Sequence, residues 1–356
     1  MQISSVTFTK AIAIILVVLG HAFFDTPIEW WVNFVHVPIF FFMAGFCFKE
    51  THLNNPILFL KKRVQGLYIP FIKWGMIFLL LHNVLYSLGV YNGIYGYNGI
   101  ASSIYTPTEF ISKAIRVFLF VSHERLLGGY WFLPCLFVGS VVFFLTLQII
   151  KKYKINIWFG FILLIIISLT MSYYDINWYL LTSRNILAAA IIYAGFIYRN
   201  MNLSIHKNTF FIIFSLLLVS VGIFCWRSSM LSITKYTLLP YTITAICASI
   251  SVFGICTKIE QRDWEKLKDS LNFIGNNTLS ILTWHMSAFV FVSFIIICLY
   301  NLNKYRIAEF PVIKVYAMSL WGFIYFIVSM CICCFLAYLG KIFSSKLTRK
   351  NGLVKN

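Results

Sequence analysis

Two polar residues with ten uncharged residues between them, Lys10 and His21, are the first part of this chain that could do chemistry. In a helix, eleven steps of 100° bring the two side chains to within about 20° of each other, so both lie on one face. The helical rise separates them by about 16 Å, roughly half the hydrocarbon thickness of a bilayer. A polar group at such a depth tends to face a wet cavity or a bundle interior. Histidine titrates near neutral pH, so His21 is a candidate general base, although a lysine at the interface and a hydrogen-bonded histidine would also fit a structural role.

Two further titratable residues accompany His21. His36, in the run HVPIFFFMAGF, is expected about 9 Å below the outer surface, close to the depth of His21 on the preceding span. We therefore predict a pocket shared by the two histidines. Asp25 lies one helical turn after His21, where a carboxylate would orient the imidazole ring. Because Pro27 ends the helix nearby, a solvated loop position for Asp25 is the open alternative.

Other polar and aromatic residues stand at the ends or in the middle of apolar runs. The stretch KKRVQGLYIP contains Lys62 and Arg63 and would either bind anionic lipid headgroups or clamp the phosphates of a cofactor. Near GGYWFLP, Glu124 would supply an acid or base, and Trp131 is expected near the membrane interface. His285 lies near the middle of a span, where a titratable side chain is a functional candidate. No metal-ligand spacing, Walker loop or G-x-S-x-G elbow occurs, so no metal is expected.

Membrane-spanning helices must position these residues, because 60% of the chain is apolar and only 11% is charged. That composition lies outside the range of soluble globular domains, and apolar runs of about 20 residues recur along the chain. We predict an all-α, polytopic integral membrane protein with about ten transmembrane helices in one bundle. The predicted spans are 5–24, 30–48, 67–88, 130–150, 155–173, 184–199, 209–226, 237–257, 277–300 and 315–339. A segment at 108–122 is too short and too charged to span and is predicted as an amphipathic surface helix.

The net charge of +18 is spread over short loops between these runs. This pattern indicates membrane orientation rather than nucleic-acid binding, so membrane lipid is an expected partner and nucleic acid is not. With alternate loops assigned to opposite sides, 19 Lys and Arg fall on one side and 9 on the other. By the positive-inside rule the richer side, which carries Lys10 and both termini, is the cytoplasm. We expect one transmembrane domain at 1–340 and a short cytoplasmic basic tail at 341–356.

With these motifs the sequence resembles the acyltransferase type 3 family, the integral-membrane O-acetylases of bacterial surface polysaccharides, and in particular its fucose 4-O-acetylase-like branch. The family's arginine, ten residues and histidine correspond to Lys10 through His21, and its histidine–methionine–proline run corresponds to HVPIFFFMAGF. Its basic stretch before leucine and proline is similar to KKRVQGLYIP. Its tryptophan–phenylalanine–leucine–proline block matches WFLP at 131–134, and its late glycine–asparagine stretch ending in histidine matches IGNNTLSILTWH at 274–285.

Two positions depart from the family pattern. Lys10 stands in place of the arginine, and Gly66 stands where a second cation after Arg63 is expected. If the side chain binds a phosphate only through its positive charge, lysine can replace arginine fully. If binding needs the two parallel hydrogen bonds of a guanidinium, lysine can replace it only in part.

The resemblance implies an acyltransferase that uses acetyl-CoA on the cytoplasmic side. The implied acceptor is a sugar hydroxyl of an O-antigen, capsule or exopolysaccharide, or of its lipid-linked precursor, and the implied location is the bacterial inner membrane. His21 would deprotonate the hydroxyl directly or carry the acetyl group itself. The predicted site residues are, as catalytic groups, His21, His36 and Asp25; for the donor, Lys10, Lys62 and Arg63; and for the acceptor, Trp131, Glu124 and His285. The rival hypothesis is a glycan transporter or flippase, although no pair of broken helices in two symmetric halves is visible in the sequence.

Overall fold

The computed structural model describes residues 4–96 and 103–353. The only strands in that part of the chain form one short antiparallel hairpin, β1 (Asn177–Trp178) and β2 (Leu181–Thr182). The α-helices are α1 (Ser4–Ala22), α2 (Pro27–Val32), α3 (His36–Phe46), α4 (Pro56–Arg63), α5 (Ile69–Ser87), α6 (Pro107–Phe118), α7 (Phe132–Lys152), α8 (Ile157–Tyr173), α9 (Ser183–Asn200), α10 (Thr209–Cys225), α11 (Leu238–Glu260), α12 (Glu265–Asn276), α13 (Thr278–Leu299), α14 (Lys314–Ala317) and α15 (Leu320–Leu353). A π-helical turn occupies Val64–Tyr68, and 3₁₀ turns occupy Glu50–Asn54, Arg125–Trp131, Ile205–Lys207 and Lys304–Ala308.

Within the described residues, seven helices are long and apolar enough to cross a membrane. They are Ser4–Ala22, Pro27–Phe46, Pro56–Ser87, Arg125–Lys152, Leu238–Glu260, Thr278–Leu299 and Leu320–Phe343. Two shorter apolar helices, α8 and α10, and the buried helix α9 coincide with the other three predicted spans. The all-α polytopic fold is therefore confirmed, while the count of about ten spans stays a prediction.

Helix α1 lies at the centre of the bundle. It packs against α3, α11, α12, α13 and α15, and most of its side chains are buried. A first helix surrounded on so many sides is apolar nearly all round, as expected for a span buried among other spans. The central position of α1 brings the face that carries Lys10 and His21 into the interior of the protein.

The second predicted span is broken between α2 and α3, three residues before Pro38. Proline cannot donate a backbone hydrogen bond, and carbonyl groups freed inside a membrane need other donors. The Val32 carbonyl accepts a hydrogen bond from His36 Nδ1 at 2.7 Å, and the Asn33 carbonyl accepts one from the Tyr241 hydroxyl at 3.0 Å. Two carbonyl groups at the break are thus hydrogen-bonded by side chains, and one of these bonds fixes the ring of His36.

Close packing between α3 and α9 depends on two glycines that face each other. A Cβ atom on Gly45 would overlap the backbone carbonyl of Ile192, and one on Gly195 would overlap that of Phe42. Small residues allow such backbone approach between membrane helices. This contact needs glycine at both positions, and it holds α3 closely against α9.

The predicted amphipathic segment is present as α6. It begins with a capping box in which the Thr106 and Glu109 side chains bond each other's backbone N–H groups. Ile111 and Ile115 are exposed on one face, and Val117 is buried against α5. At the other end of the chain, α15 continues to Leu353, so the predicted tail at 341–356 is helical over most of its length, and 354–356 lie outside the described residues.

Candidate active site

A cavity of about 430 Å³ runs along one face of α1. The α1 residues that line it include Lys10, Ile14, Val17 and His21, which are spaced three or four apart, and Phe24 continues the series in the turn after α1. The facing segment at 29–40 contributes a second such series. Other lining residues come from the turns at 64–68 and 125–131, from α7 and α13, and from the loops at 229–231 and 310–311. Lys10 and His21 therefore share one cavity, as their spacing predicts, with Lys10 near one end and the loops at the other.

His21 is hydrogen-bonded to His285, which comes from α13. The Nδ1 atom of His21 lies 3.0 Å from Nε2 of His285, and the two rings are stacked with their centroids 5.1 Å apart. His285 is fully buried and does not line the cavity, whereas His21 does. His285 therefore supports His21 from behind, and its contacts place it one step away from any molecule in the cavity.

The partners of His285 decide which nitrogen of His21 can take up a proton. His285 Nδ1 lies 2.9 Å from the Leu282 carbonyl oxygen and 3.2 Å from that of Ile281. Since carbonyl oxygens only accept, His285 Nδ1 carries a hydrogen, and its Nε2 in the neutral ring is an acceptor. His21 must then donate from Nδ1, which leaves the lone pair of His21 on Nε2. Within the described residues Nε2 of His21 forms no hydrogen bond, and it is available to a ligand.

His36 lines the same cavity, as predicted, and its tautomer is fixed in the same way. Its Nδ1–H donates to the Val32 carbonyl, so its Nε2 is also an acceptor. His21 and His36 both line this cavity, one from α1 and the other from the start of α3. The site thus presents two imidazole lone pairs to one cavity.

The segment GGYWFLP packs against the histidine pair. A Cβ atom on Gly129 would stand 3.6 Å from Cε1 of His285 and 2.8 Å from a Leu282 methyl group, so a larger residue here would require the Leu282 side chain to move. The Tyr130 hydroxyl bonds the Thr283 hydroxyl at 2.7 Å. Trp131, the residue predicted for the acceptor, lines the cavity. The guanidinium of Arg184 lies over the Trp131 ring, 5.3 Å from the ring centre.

Of the predicted donor cations, Lys10 lines the cavity, whereas Lys62 and Arg63 are not among its lining residues and end α4 just before Gly66 and Leu67, which are. Among the residues that the structure describes, Lys10, Lys62 and Arg63 form no ion pair, and Lys62 is exposed. Burial raises the pKa of the nearby Cys47 thiol, while the charges of Lys10, Arg199 and Arg63 act in the opposite direction. Three cations therefore converge around a neutral thiol, and their charge is available to an anion.

Arg199 is a donor-side cation that the sequence analysis missed. Its Nη1 donates to the Phe46 and Phe48 carbonyl oxygens at 3.0 and 3.2 Å, so it caps the end of α3 beside Cys47. As a basic residue in the last turn of α9 it resembles an ordinary end-of-helix cation, and only the α3–α9 packing brings it beside the end of α3.

Asp25 lies in the turn after α1, where its contacts turn it away from His21. Its carboxylate pairs with Arg227 at 3.2 Å and with Lys314 at 2.5 Å. The hydrogen bond from Lys314 and, to a smaller extent, the interaction with Arg227 hold the pKa of Asp25 below its ordinary value. The structure therefore supports neither a ring-orienting carboxylate nor a merely solvated one: Asp25 joins three outer loops at the mouth of the cavity.

Glu124 does not reach the cavity. It is buried beside His82, with His82 Nδ1 at 2.9 Å from its Oε2, and His82 Nε2 lies 2.9 Å from the Ser103 carbonyl oxygen. Both ring nitrogens of His82 therefore have oxygen partners, one on Glu124 and one on the backbone of the segment at 103–106. Its position is that of an anchor for the outer segment rather than of a substrate ligand.

A second carboxylate, Glu29, lines the cavity where Glu124 does not. Glu29, Asn33 and His36 follow at intervals of four and three residues, and all three line the cavity. Glu29 is not among the predicted site residues, because an acidic residue in the first turn of a helix is common for reasons of the helix dipole alone. The helical spacing that places Lys10 and His21 on one face also relates Glu29 to His36, seven residues later, so it indicates Glu29 as a residue of the same cavity.

A cavity between apolar helices, lined by two histidines and by a lysine without an ion-pair partner among the described residues, is compatible with a group-transfer site within a membrane. The family described as an acyltransferase domain matches residues 3–339, which is nearly the whole chain. The protein therefore belongs to the acyltransferase type 3 family, as the motifs predicted. Comparison with curated proteins and with solved structures finds no match. The fucose 4-O-acetylase-like branch stays a prediction.

Proposed function

We propose that this membrane acyltransferase transfers an acetyl group from cytoplasmic acetyl-CoA to a sugar hydroxyl of a bacterial surface polysaccharide or its lipid-linked precursor. The observation that carries the proposal is the hydrogen bond between His21 and His285, which leaves the lone pair of His21 Nε2 directed to a cavity that also contains Lys10. A base and an anion-binding end in one cavity are what transfer from an anionic thioester to a hydroxyl needs.

The donor would enter at the end of the cavity that carries Lys10. CoA is a multiply charged anion, and the cations around Cys47 form no ion pair among the described residues that would compete with its phosphates. The rise of α1 between Lys10 and His21, about 16 Å, suits a pantetheine arm whose nucleotide stays at the membrane surface. The excess of Lys and Arg in the loops on this side supports its assignment to the cytoplasm of the bacterial inner membrane.

At His21 the chemistry balances in either of two routes. In direct transfer, Nε2 takes the hydroxyl proton, the sugar oxygen attacks the thioester carbonyl, the C–S bond breaks and the CoA sulfur receives the proton from His21. In two-step transfer, Nε2 attacks the carbonyl itself, the C–S bond breaks and CoA leaves as its thiolate. The sugar hydroxyl then attacks the acetyl-imidazolium, the C–N bond breaks to restore His21, and the hydroxyl proton goes to the CoA thiolate. The same nitrogen serves both, and His285 stabilises the imidazolium through Nδ1 in both.

The proposal is tested by the O-acetyl content of surface glycan in cells with the protein, without it, and with His21→Ala at equal membrane levels. Loss of O-acetyl groups from glycan that is otherwise exported in normal amount is expected for the last two. A glycan flippase would instead change the amount of exported glycan and leave its degree of acetylation unaltered, which would overturn the proposal.

A further inference from the structure

Opposite the donor end, the cavity carries an unexpected polar pair on α2. Glu29 and Asn33 are one helical turn apart and both line the cavity. The Asn33 amide donates to Glu29 Oε1 at 3.0 Å, and the Asp25 backbone N–H donates to Glu29 Oε2 at 2.8 Å. Each carboxylate oxygen of Glu29 thus accepts one hydrogen bond from the protein and can accept a second one from a ligand.

From this arrangement we propose that Glu29 and Asn33 form the hydroxyl-binding subsite for an uncharged sugar with neighbouring hydroxyl groups. This inference rests on the proposed function for the identity of the reaction, but not for the existence of the sugar site. An ionised carboxylate accepts hydroxyl donors, and an amide offers both a donor and an acceptor. Charge-assisted hydrogen bonds of this kind are the strong ones in a cavity lined mainly by apolar groups.

The subsite lies beside the base. A Cβ atom on Gly20, the residue before His21, would stand 4.0 Å from Cγ of Glu29 and 3.2 Å from a Val32 methyl group. One turn further along the same helical series, His36 presents its Nε2. A sugar that binds Glu29 and Asn33 through two hydroxyls therefore directs its opposite edge towards the two imidazoles.

The charges at this mouth select against an anionic sugar. The positive groups closest to it, Arg227 and Lys314, are already paired with Asp25, and Arg227 also lies over the Trp30 ring at 3.4 Å from its centre. Glu29 is half-buried and has amide donors but no ion-pair partner among the described residues. A uronic or sialic acid would bring its carboxylate towards the Glu29 carboxylate, which no cation pairs with directly among the described residues.

The test uses saturation-transfer NMR on protein purified in lipid nanodiscs, without acetyl-CoA, so that turnover is not needed. The probes are the methyl glycosides of fucose, galactose and glucuronic acid. We expect a neutral glycoside to bind the native protein, Glu29→Gln to weaken it about tenfold, and Asn33→Ala to weaken it several-fold. The acidic glycoside should bind at least tenfold more weakly than the neutral ones, and Glu29→Gln should narrow that gap.

Glu265→Gln, which removes an exposed glutamate on α12, is the matched control and should change nothing. Equal binding by native protein and both cavity variants, or preferred binding of the glucuronide, would overturn the subsite. Acetyl-CoA binding, measured on the same samples, separately tests the donor side of the proposed function. A protein that binds sugar through Glu29 but never acetyl-CoA would contradict the proposed function and leave the subsite standing.

Discussion

His21 and His285 are 264 positions apart in the chain, yet Nδ1 of the first lies 3.0 Å from Nε2 of the second. The carbonyl oxygens of α13 fix the tautomer of His285, and His285 in turn fixes that of His21. This relay gives His285 a positioning role instead of the substrate-binding role predicted from the sequence. It also explains why a fully buried histidine stands in the middle of an apolar helix.

The relay predicts different outcomes for two substitutions of His285. His285→Gln keeps an acceptor near the position of Nε2, so it should retain much of the native turnover. His285→Leu removes the acceptor, and kcat should fall tenfold to a hundredfold (~10–10²) as His21 tautomers redistribute, with KM for both substrates nearly unchanged. Steady-state acetyl transfer with melting temperatures measured in parallel tests this. Equal losses in both variants would show that His285 acts only through packing.

The donor end is tested by Arg63→Ala and by two changes of Lys10. Arg63→Ala and Lys10→Ala should weaken acetyl-CoA binding, because each removes a cation that has no ion-pair partner among the described residues. Lys10→Arg should be tolerated, since arginine keeps the positive charge and adds a planar guanidinium that can bind a phosphate through two hydrogen bonds. Equilibrium binding of labelled acetyl-CoA in detergent is the measurement, with Arg262→Ala on an exposed loop as the control. Donor affinity that is the same in Arg63→Ala as in the native protein would remove this residue from the site.

Gly66 offers a gain-of-function test at the same end. It lines the cavity within the π-helical turn, and a Cβ atom there would meet no atom within 4 Å. Gly66→Arg places a cation where the family pattern has one, so it should tighten acetyl-CoA binding several-fold, and the gain should shrink as salt is added.

Gly66→Gln is the matched control, because glutamine adds similar length without charge. If Gly66→Gln tightens donor binding as much as Gly66→Arg, the effect comes from helix propensity, and a phosphate contact at this position is excluded.

Substitution of Asp25 is expected to affect the outer loops but not His21, the proposed base. Its pKa lies below the ordinary value of 3.8, chiefly because Lys314 donates a hydrogen bond to it, so folding stabilises the ionised form. That stabilisation is complete above the ordinary pKa and is lost only as the pH falls through the lowered one. Between pH 6 and 9, a range set by histidine's ordinary titration, Asp25 thus stays ionised and adds nothing to the pH dependence of kcat.

Asp25→Asn should therefore leave the shape of the kcat–pH profile unchanged and lower stability only slightly, because exposed ion pairs contribute less than about 1 kcal/mol. Glu50→Gln breaks a comparable exposed pair with Lys151 on the opposite side and is the control. A loss of kcat by more than about tenfold in Asp25→Asn alone would restore Asp25 to the catalytic role that its sequence position suggested.

What the sequence predicts here follows from helical spacing within single elements. The alignment of Lys10 with His21 and the common cavity of His21 and His36 needed only the 3.6-residue repeat and the depth of each span. The contact between His21 and His285 depends on how α13 packs on α1, and nothing local specifies that. Nearness in sequence was misleading for Glu124, which precedes Trp131 by seven residues but is turned to His82.

Backbone conformation accounts for a second kind of difference. Asp25 adopts a positive φ of 57°, so the chain leaves the helical path after α1 and a carboxylate four residues after His21 no longer shares its face. The break at Asn33 similarly depends on a hydroxyl from Tyr241, a residue from a distant span. Such turns are decided by tertiary hydrogen bonds that the sequence does not display.

The most direct test of the account is acetyl transfer by a purified His21→Ala enzyme, with His21→Gln beside it. We expect both to lose ~10²–10⁴-fold in turnover, because neither side chain can take up the hydroxyl proton. Acetyl-CoA affinity, membrane level and melting temperature should stay close to native, since His21 is a cavity-lining polar side chain. Turnover within about tenfold of native by a well-folded His21→Ala enzyme would contradict the account and remove His21 from the reaction.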